Sequence, residues 1–187
     1  MNARAQSDSG MLLVARAADF AARAHAIQKR KGAAQEPYIN HLAEVALLLT
    51  EATGGRNPVL IAAAWLHDTL EDTITEREEL ESLFGRDVAS VVAEVTDDKS
   101  LPKSERKRLQ VETTPNKSKP ARMLKIADKT SNLRALAKSP PMGWDLKRRE
   151  EYVAWAEAVV AGCRGLNAEL EANFAAAVAD ALTALAS

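Results

Sequence analysis

Ile61-Ala62-Ala63-Ala64-Trp65-Leu66-His67-Asp68-Thr69-Leu70-Glu71-Asp72 is the stretch on which the reading of this chain turns. An alanine-rich apolar run, Ile61 to Leu66, meets four ionisable side chains within six residues. On a helix His67 and Glu71 are one turn apart, as are Asp68 and Asp72. Such a cluster at the end of a buried helix needs a cation, a substrate or water. The competing reading is a solvated helix end that carries one histidine. The neighbouring sequence decides between them.

Upstream, Asn57-Pro58 opens this helix, because Asn caps well and Pro fits the first helical position. Before it, Leu42, Val45, Leu49 and Ala52 form the stripe of another helix, which Gly54-Gly55 ends. His41 falls in the first turn of that helix and faces inward. Leu13, Ala17, Phe20, Ala24 and Ile27 alternate steps of four and three, the stripe of a first helix from Met11. Residues 1–10 read as a loose tail and 11–187 as one domain. His25 has no second ligand at helical spacing and reads as structural or surface. Gln28-Lys29-Arg30-Lys31-Gly32 gives the first helix a basic end, which suits the helix dipole or clamps an anion or base.

Downstream, Thr75 and Glu78 form an expected capping box for a helix that stops near Phe84-Gly85. Val88, Val91, Val92 and Val95 keep the helical period. Two polar breaks flank a mixed-charge helix that begins at Lys103. Ala121, Leu124, Asp128 and Asn132 share one side of the next, which places the Asp128 carboxylate where an apolar group belongs. Ser139 to Gly143 breaks the chain again. Tyr152, Trp155, Val159 and Cys163 mark one more helix, and Leu166 to Leu185 the last. Nothing alternates with period two for long enough to make a strand. The expected fold is all-α: a single helical bundle of about eight to ten helices.

The 187 residues are enough for one domain with a sizeable core. The formal net charge is -1, so no global field draws the chain to nucleic acid or to an anionic membrane. An anionic substrate must therefore meet a local basic patch. No apolar run approaches the roughly 20 residues of a membrane span, and no secretory signal opens the chain. Cys163 is the only cysteine, which excludes an internal disulfide and a cysteine metal cage and agrees with a cytoplasmic setting.

His41, His67-Asp68 and Asp128 come from three helices and sit on faces that should be apolar. Two imidazoles and two carboxylates suit a divalent first-row ion, and the carboxylates shift the choice toward harder ions such as Mn²⁺. These residues resemble the metal set of the HD-domain phosphohydrolases. The likeness extends along the chain through Arg30-Lys31, Pro37 to His41, Leu66 to Asp72, Phe84-Gly85, Val95 to Lys99, Glu105 to Lys107 and Ala127-Asp128-Lys129…Asn132-Leu133-Arg134. That series is similar to the hydrolase domain of the RelA/SpoT homologues, and in its length to the stand-alone small alarmone hydrolases of the Mesh1 type.

The resemblance implies roles. His41, His67, Asp68 and Asp128 would hold one Mn²⁺. Glu71 and Asp72 would activate and position the attacking water. Arg30 and Lys31 would lie near the purine base, Asn132 and Tyr152 near the ribose, and Lys103 and Arg148 near the phosphates. The implied reaction removes the 3′-pyrophosphate from an alarmone nucleotide, ppGpp or ppApp in type. Gln35 and Glu36 are the only polar side chains in the loop that would read the base, so guanine and adenine both remain open. Two alternatives stand beside this: an HD-domain nucleotide phosphatase of other specificity, such as removal of the NADPH 2′-phosphate, and a helical module that binds a nucleotide without cleaving it. The helical surface leaves room for a homo-oligomer.

Overall fold

The computed structural model describes residues 3–186, with side chains from Ser9 onward. Among the described residues the chain forms ten α-helices and one short 3-10 turn, with no strand. They are α1 (Ala3–Ala24), α2 (Ile39–Thr53), α3 (Pro58–Leu66), α4 (Thr69–Asp72), α5 (Arg77–Phe84), α6 (Arg86–Val95), α7 (Lys103–Thr113), α8 (Lys119–Lys138), α9 (Leu146–Ala161) and α10 (Ala168–Leu185). The all-α expectation holds.

Two helices form the centre. α3 is apolar on nearly every side, with Leu60, Ile61, Ala62, Ala63, Ala64 and Leu66 buried among α1, α2 and α6. In α8 every residue from Met123 to Ser131 is buried, and α2, α6, α9 and α10 surround it. A helix buried all round has no solvated face on which to place polar groups. Its polar residues must therefore find partners inside. Lys125 does so by donating to the Val95 carbonyl at 2.9 Å, and Thr130 by donating to the Ile126 carbonyl at 2.8 Å. Asp128, Lys129 and Ser131 find theirs in the site described below.

Several local signals act as their chemistry dictates. The Asn57 side chain accepts from the Leu60 amide at 3.1 Å, with Pro58 in the first turn of α3. Gly54 ends α2 at φ 58°, and the Gly55 amide returns to the Thr50 carbonyl at 2.8 Å.

Three readings need correction. The expected Thr75–Glu78 capping box does not form. The Thr73 hydroxyl bonds both the amide and the hydroxyl of Thr75, so α5 starts later, behind Glu76. Ile27 is not part of the first stripe: α1 ends at Ala24, and Ile27 is exposed. α1 also begins at Ala3 rather than Met11, so residues 3–10 of the expected tail are helical, and Gly10 is buried close to the Pro58 ring. Met1 and Asn2 lie outside the described residues.

Candidate metal centre and substrate cleft

α3 ends because side chains take its last carbonyls. His67 Nδ1 bonds the Ala64 carbonyl at 2.8 Å, and the Thr69 hydroxyl donates to the Leu66 carbonyl at 2.6 Å. The chain turns at His67-Asp68 and resumes as the single turn of α4. This break aims His67 Nε2 and the Asp68 carboxylate at one point. Asp128 reaches that point from the middle of α8, and His41 reaches it from the first turn of α2.

The four groups converge. His67 Nε2 lies 3.1 Å from Asp68 Oδ2 and 3.9 Å from Asp128 Oδ1. His41 Nε2 lies 3.4 Å from Asp128 Oδ1 and 3.7 Å from Asp68 Oδ2. Ligand atoms of His41, His67 and Asp128 all fall within 4.8 Å of one another. Asp68 adds an oxygen that also accepts from the Tyr38 hydroxyl at 2.6 Å.

A divalent ion fits this donor set. A carbonyl only accepts, so the His67 Nδ1–H must point at Ala64, which leaves Nε2 to face the cluster. That nitrogen is buried and makes no hydrogen bond. Its 3.1 Å approach to Asp68 is therefore a charge contact with poor donor direction. A buried polar atom without a partner is costly unless something else binds it.

Electrostatics support this arrangement. Burial works against charge on His67, but Asp68 and Asp128 outweigh it and raise its pKa from 6.5 to about 9. Burial dominates at His41 and lowers its pKa, which favours the neutral ring. Burial also works against the Asp128 charge, yet Lys129 and the two imidazoles hold its pKa well below the usual carboxylate range. Lys129 Nζ donates to Asp128 Oδ2 at 2.9 Å and lies 4.5 Å above the Trp155 ring.

Glu71 and Asp72 stand beside the centre with separate partners. The Asp97 amide donates to Glu71 at 3.3 Å and Arg106 at 3.5 Å. Burial, then the Asp97 and Asp68 charges, raise the Glu71 pKa above its ordinary value. Asp72 accepts from Gln28 at 3.1 Å and pairs with Lys99.

Above this floor opens a cleft of about 760 Å³. Arg30, Lys31, Glu71, Asp72, Lys103, Asn132, Arg148 and Tyr152 all line it. Arg30 donates to the Asn132 Oδ1 at 3.1 Å, and Asn132 donates to Asp128 at 2.6 Å, which ties the upper cleft to the floor. Arg148 sits 4.6 Å over Trp144, and Lys107 4.8 Å over Trp155. Burial lowers the Lys103 pKa, as do Arg148, Lys31 and Arg106 nearby, the mark of cations gathered without enough counter-charge. Lys29, Arg30 and Lys31 lie beyond the end of α1, so the helix-dipole reading of these cations does not apply.

All of the singled-out residues thus meet in one region. Tyr38, Asp97, Lys107, Lys129 and Trp144 join them without having been assigned roles from sequence. Tyr38, Asp97 and Lys107 lie inside the quoted motifs, and Lys129 follows Asp128 directly. Position within the motifs was the available signal for these four, and nothing in the sequence marked Trp144. His25 is structural: it is buried, bonds Gln28 and stacks on Tyr38 at 5.2 Å.

This arrangement, two imidazoles and two aspartates set by three helices, defines a class. The chain belongs to the HD-domain family, whose model matches residues 17–157. Within reach of that family, it is 50% identical over 165 residues to the guanosine-3′,5′-bis(diphosphate) 3′-pyrophosphohydrolase MESH1 of Xenopus tropicalis, covering 88% of this chain and 91% of that protein. It is 51% identical to the Homo sapiens protein of the same name, with the same coverage. The solved structure of a metazoan ortholog of SpoT, described as hydrolysing ppGpp, superposes with a TM-score of 0.85 at 42% identity, covering 88% of this chain and 93% of that one.

Proposed function

We propose that this chain is a metal-dependent hydrolase that removes the 3′-pyrophosphate of alarmone nucleotides, with one Mn²⁺ held by His41, His67, Asp68 and Asp128. The observation that carries the reading is the division of the cleft by charge. Carboxylates and imidazole nitrogens form its floor, and cations with aromatic rings form its wall. A nucleotide with a pyrophosphate group matches both halves.

A divalent ion bound at the floor supplies Lewis acidity toward water and a phosphoryl oxygen. Glu71 takes a proton from the attacking water, and its raised pKa brings it nearer to working pH. Asp72 holds the water side of the site through Gln28 and Lys99. The water oxygen bonds to the phosphorus next to the 3′ oxygen, the bond from that phosphorus to the 3′ oxygen breaks, and the 3′ oxygen gains a proton. The products are the 5′-phosphorylated nucleoside and pyrophosphate. Lys103 and Arg148 neutralise phosphate charge, Asn132 and Tyr152 hold the ribose, and Arg30 and Lys31 lie near the base.

The test is a substrate panel of ppGpp, pppGpp, ppApp, pppApp and NADPH under one Mn²⁺ condition. Pyrophosphate release from at least one guanosine or adenosine alarmone is expected. Turnover of NADPH alone would move the chain to the other-specificity reading, and binding of all five without turnover would make it a binding module.

A further inference from the structure

His41 and His67 reach the floor by different means. The His67 ring is fixed by a carbonyl, which can only accept. His41 Nδ1 instead meets the Ser131 hydroxyl at 2.9 Å. A hydroxyl can donate or accept, so that contact alone permits either imidazole tautomer. If Ser131 donated to Nδ1, the ring proton would move to Nε2 and block the lone pair that faces the floor.

Glu44 removes the ambiguity. The Ser131 hydroxyl donates to Glu44 Oε2 at 2.6 Å. With its one proton committed there, Ser131 can only accept from His41 Nδ1–H. The Nε2 lone pair is then left toward Asp68 and Asp128. Glu44 is itself held by Arg134, which donates to Oε1 at 3.1 Å and to Asn173 of α10 at 3.3 Å. The relay joins two pairs at helical spacing, His41 with Glu44 on α2 and Ser131 with Arg134 on α8.

We propose that Glu44, acting through Ser131, is a positioning residue that sets the His41 tautomer for metal binding. The proposal rests on the metal reading given above. It separates Glu44 from an ordinary ion pair through the isosteric change Glu44→Gln. Arg134 needs an oxygen, so the amide oxygen turns to Arg134 and the amide nitrogen donates to Ser131. The Ser131 proton then loses its carboxylate acceptor and is free to donate to His41 Nδ1, which shifts the ring toward the Nε2–H tautomer with no change in side-chain size.

The experiment titrates metal-free protein with Mn²⁺ and follows free ion by paramagnetic resonance. Glu44→Gln and Ser131→Ala should each weaken binding about 10- to 100-fold, the usual effect of losing a ligand's supporting hydrogen bond. In the Ser131→Ala background Glu44→Gln should add almost nothing, because the link is already cut. Nitrogen-15 spectra of metal-free protein should show His41 as the Nδ1–H tautomer in wild type and as Nε2–H in Glu44→Gln. This spectral readout stands even for a variant of reduced stability. Wild-type affinity and an unchanged tautomer in Glu44→Gln would overturn the relay alone. A wild-type chain that takes up no Mn²⁺ would overturn the metal reading, and the relay with it.

Discussion

Gly32→Ala should weaken substrate binding without touching the metal centre. Gly32 lies in the loop after Lys31, where an added Cβ would come 2.3 Å from the Ser139 carbonyl oxygen and 2.7 Å from its hydroxyl. Carbon and carbonyl oxygen seldom pack closer than about 3.3 Å, so the loop must move by ~1 Å. Two bonds latch it to the α8–α9 connection: Ala34 N–H to Ser139 Oγ at 3.0 Å and Ala33 N–H to the Pro140 carbonyl at 3.3 Å. A shift of that size loses both, at roughly 0.5–1.5 kcal/mol each. The same loop carries Arg30 and Lys31, and Arg30 is bound to the Glu36 carbonyl across it at 2.8 Å. If the loss appears in substrate affinity, about 1–3 kcal/mol raises KM about 5- to 150-fold. Steady-state pyrophosphate release, with Mn²⁺ titration alongside, reads both quantities. A KM within twofold of wild type would refute the claim that this latched loop shapes the nucleotide site.

Other outcomes follow from the floor and the wall. Glu71→Gln should keep Mn²⁺ affinity and lose about 10²–10⁴ in kcat; in wild type, kcat should fall with falling pH through a value raised above that of a free glutamate, since the base works only when ionised. Metal-free His67, with its pKa at about 9, is protonated at neutral pH, so Mn²⁺ uptake should release about one proton at pH 7 and almost none well above pH 9, measurable by calorimetry in buffers of different ionisation enthalpy. The same raised value stabilises the metal-free fold fully below pH 6.5 and loses that contribution as pH rises through about 9, visible in melts with chelator present. Lys103→Met and Arg148→Met should each raise KM about 10-fold, the scale of one charge-assisted bond, and leave metal uptake unchanged.

The sequence carried the fold where apolar spacing was strong and carried less where hydroxyl chemistry intervened. Leu42, Val45 and Leu49 are buried as their spacing requires. The Thr73 hydroxyl engages the amide and hydroxyl of Thr75 itself, a competition between neighbouring hydroxyls that no pattern resolves. His41, His67, Asp68 and Asp128 were legible because charge on an apolar helix face is unusual. Glu44 and Ser131 were not. Each is an ordinary residue on a helix, 87 positions apart, and only the packing of α2 on α8 shows that they meet. The Gly32 latch was invisible for the same reason, since Ser139 looked like a plain break between helices.

Product analysis of metal-free protein given ppGpp, with and without one equivalent of Mn²⁺, bears most directly on the central claim. Equal amounts of GDP and pyrophosphate are expected with the ion, and neither without it, with Asp68→Ala inactive under both conditions. Stepwise release of orthophosphate, or equal turnover in the presence of a chelator, would contradict it.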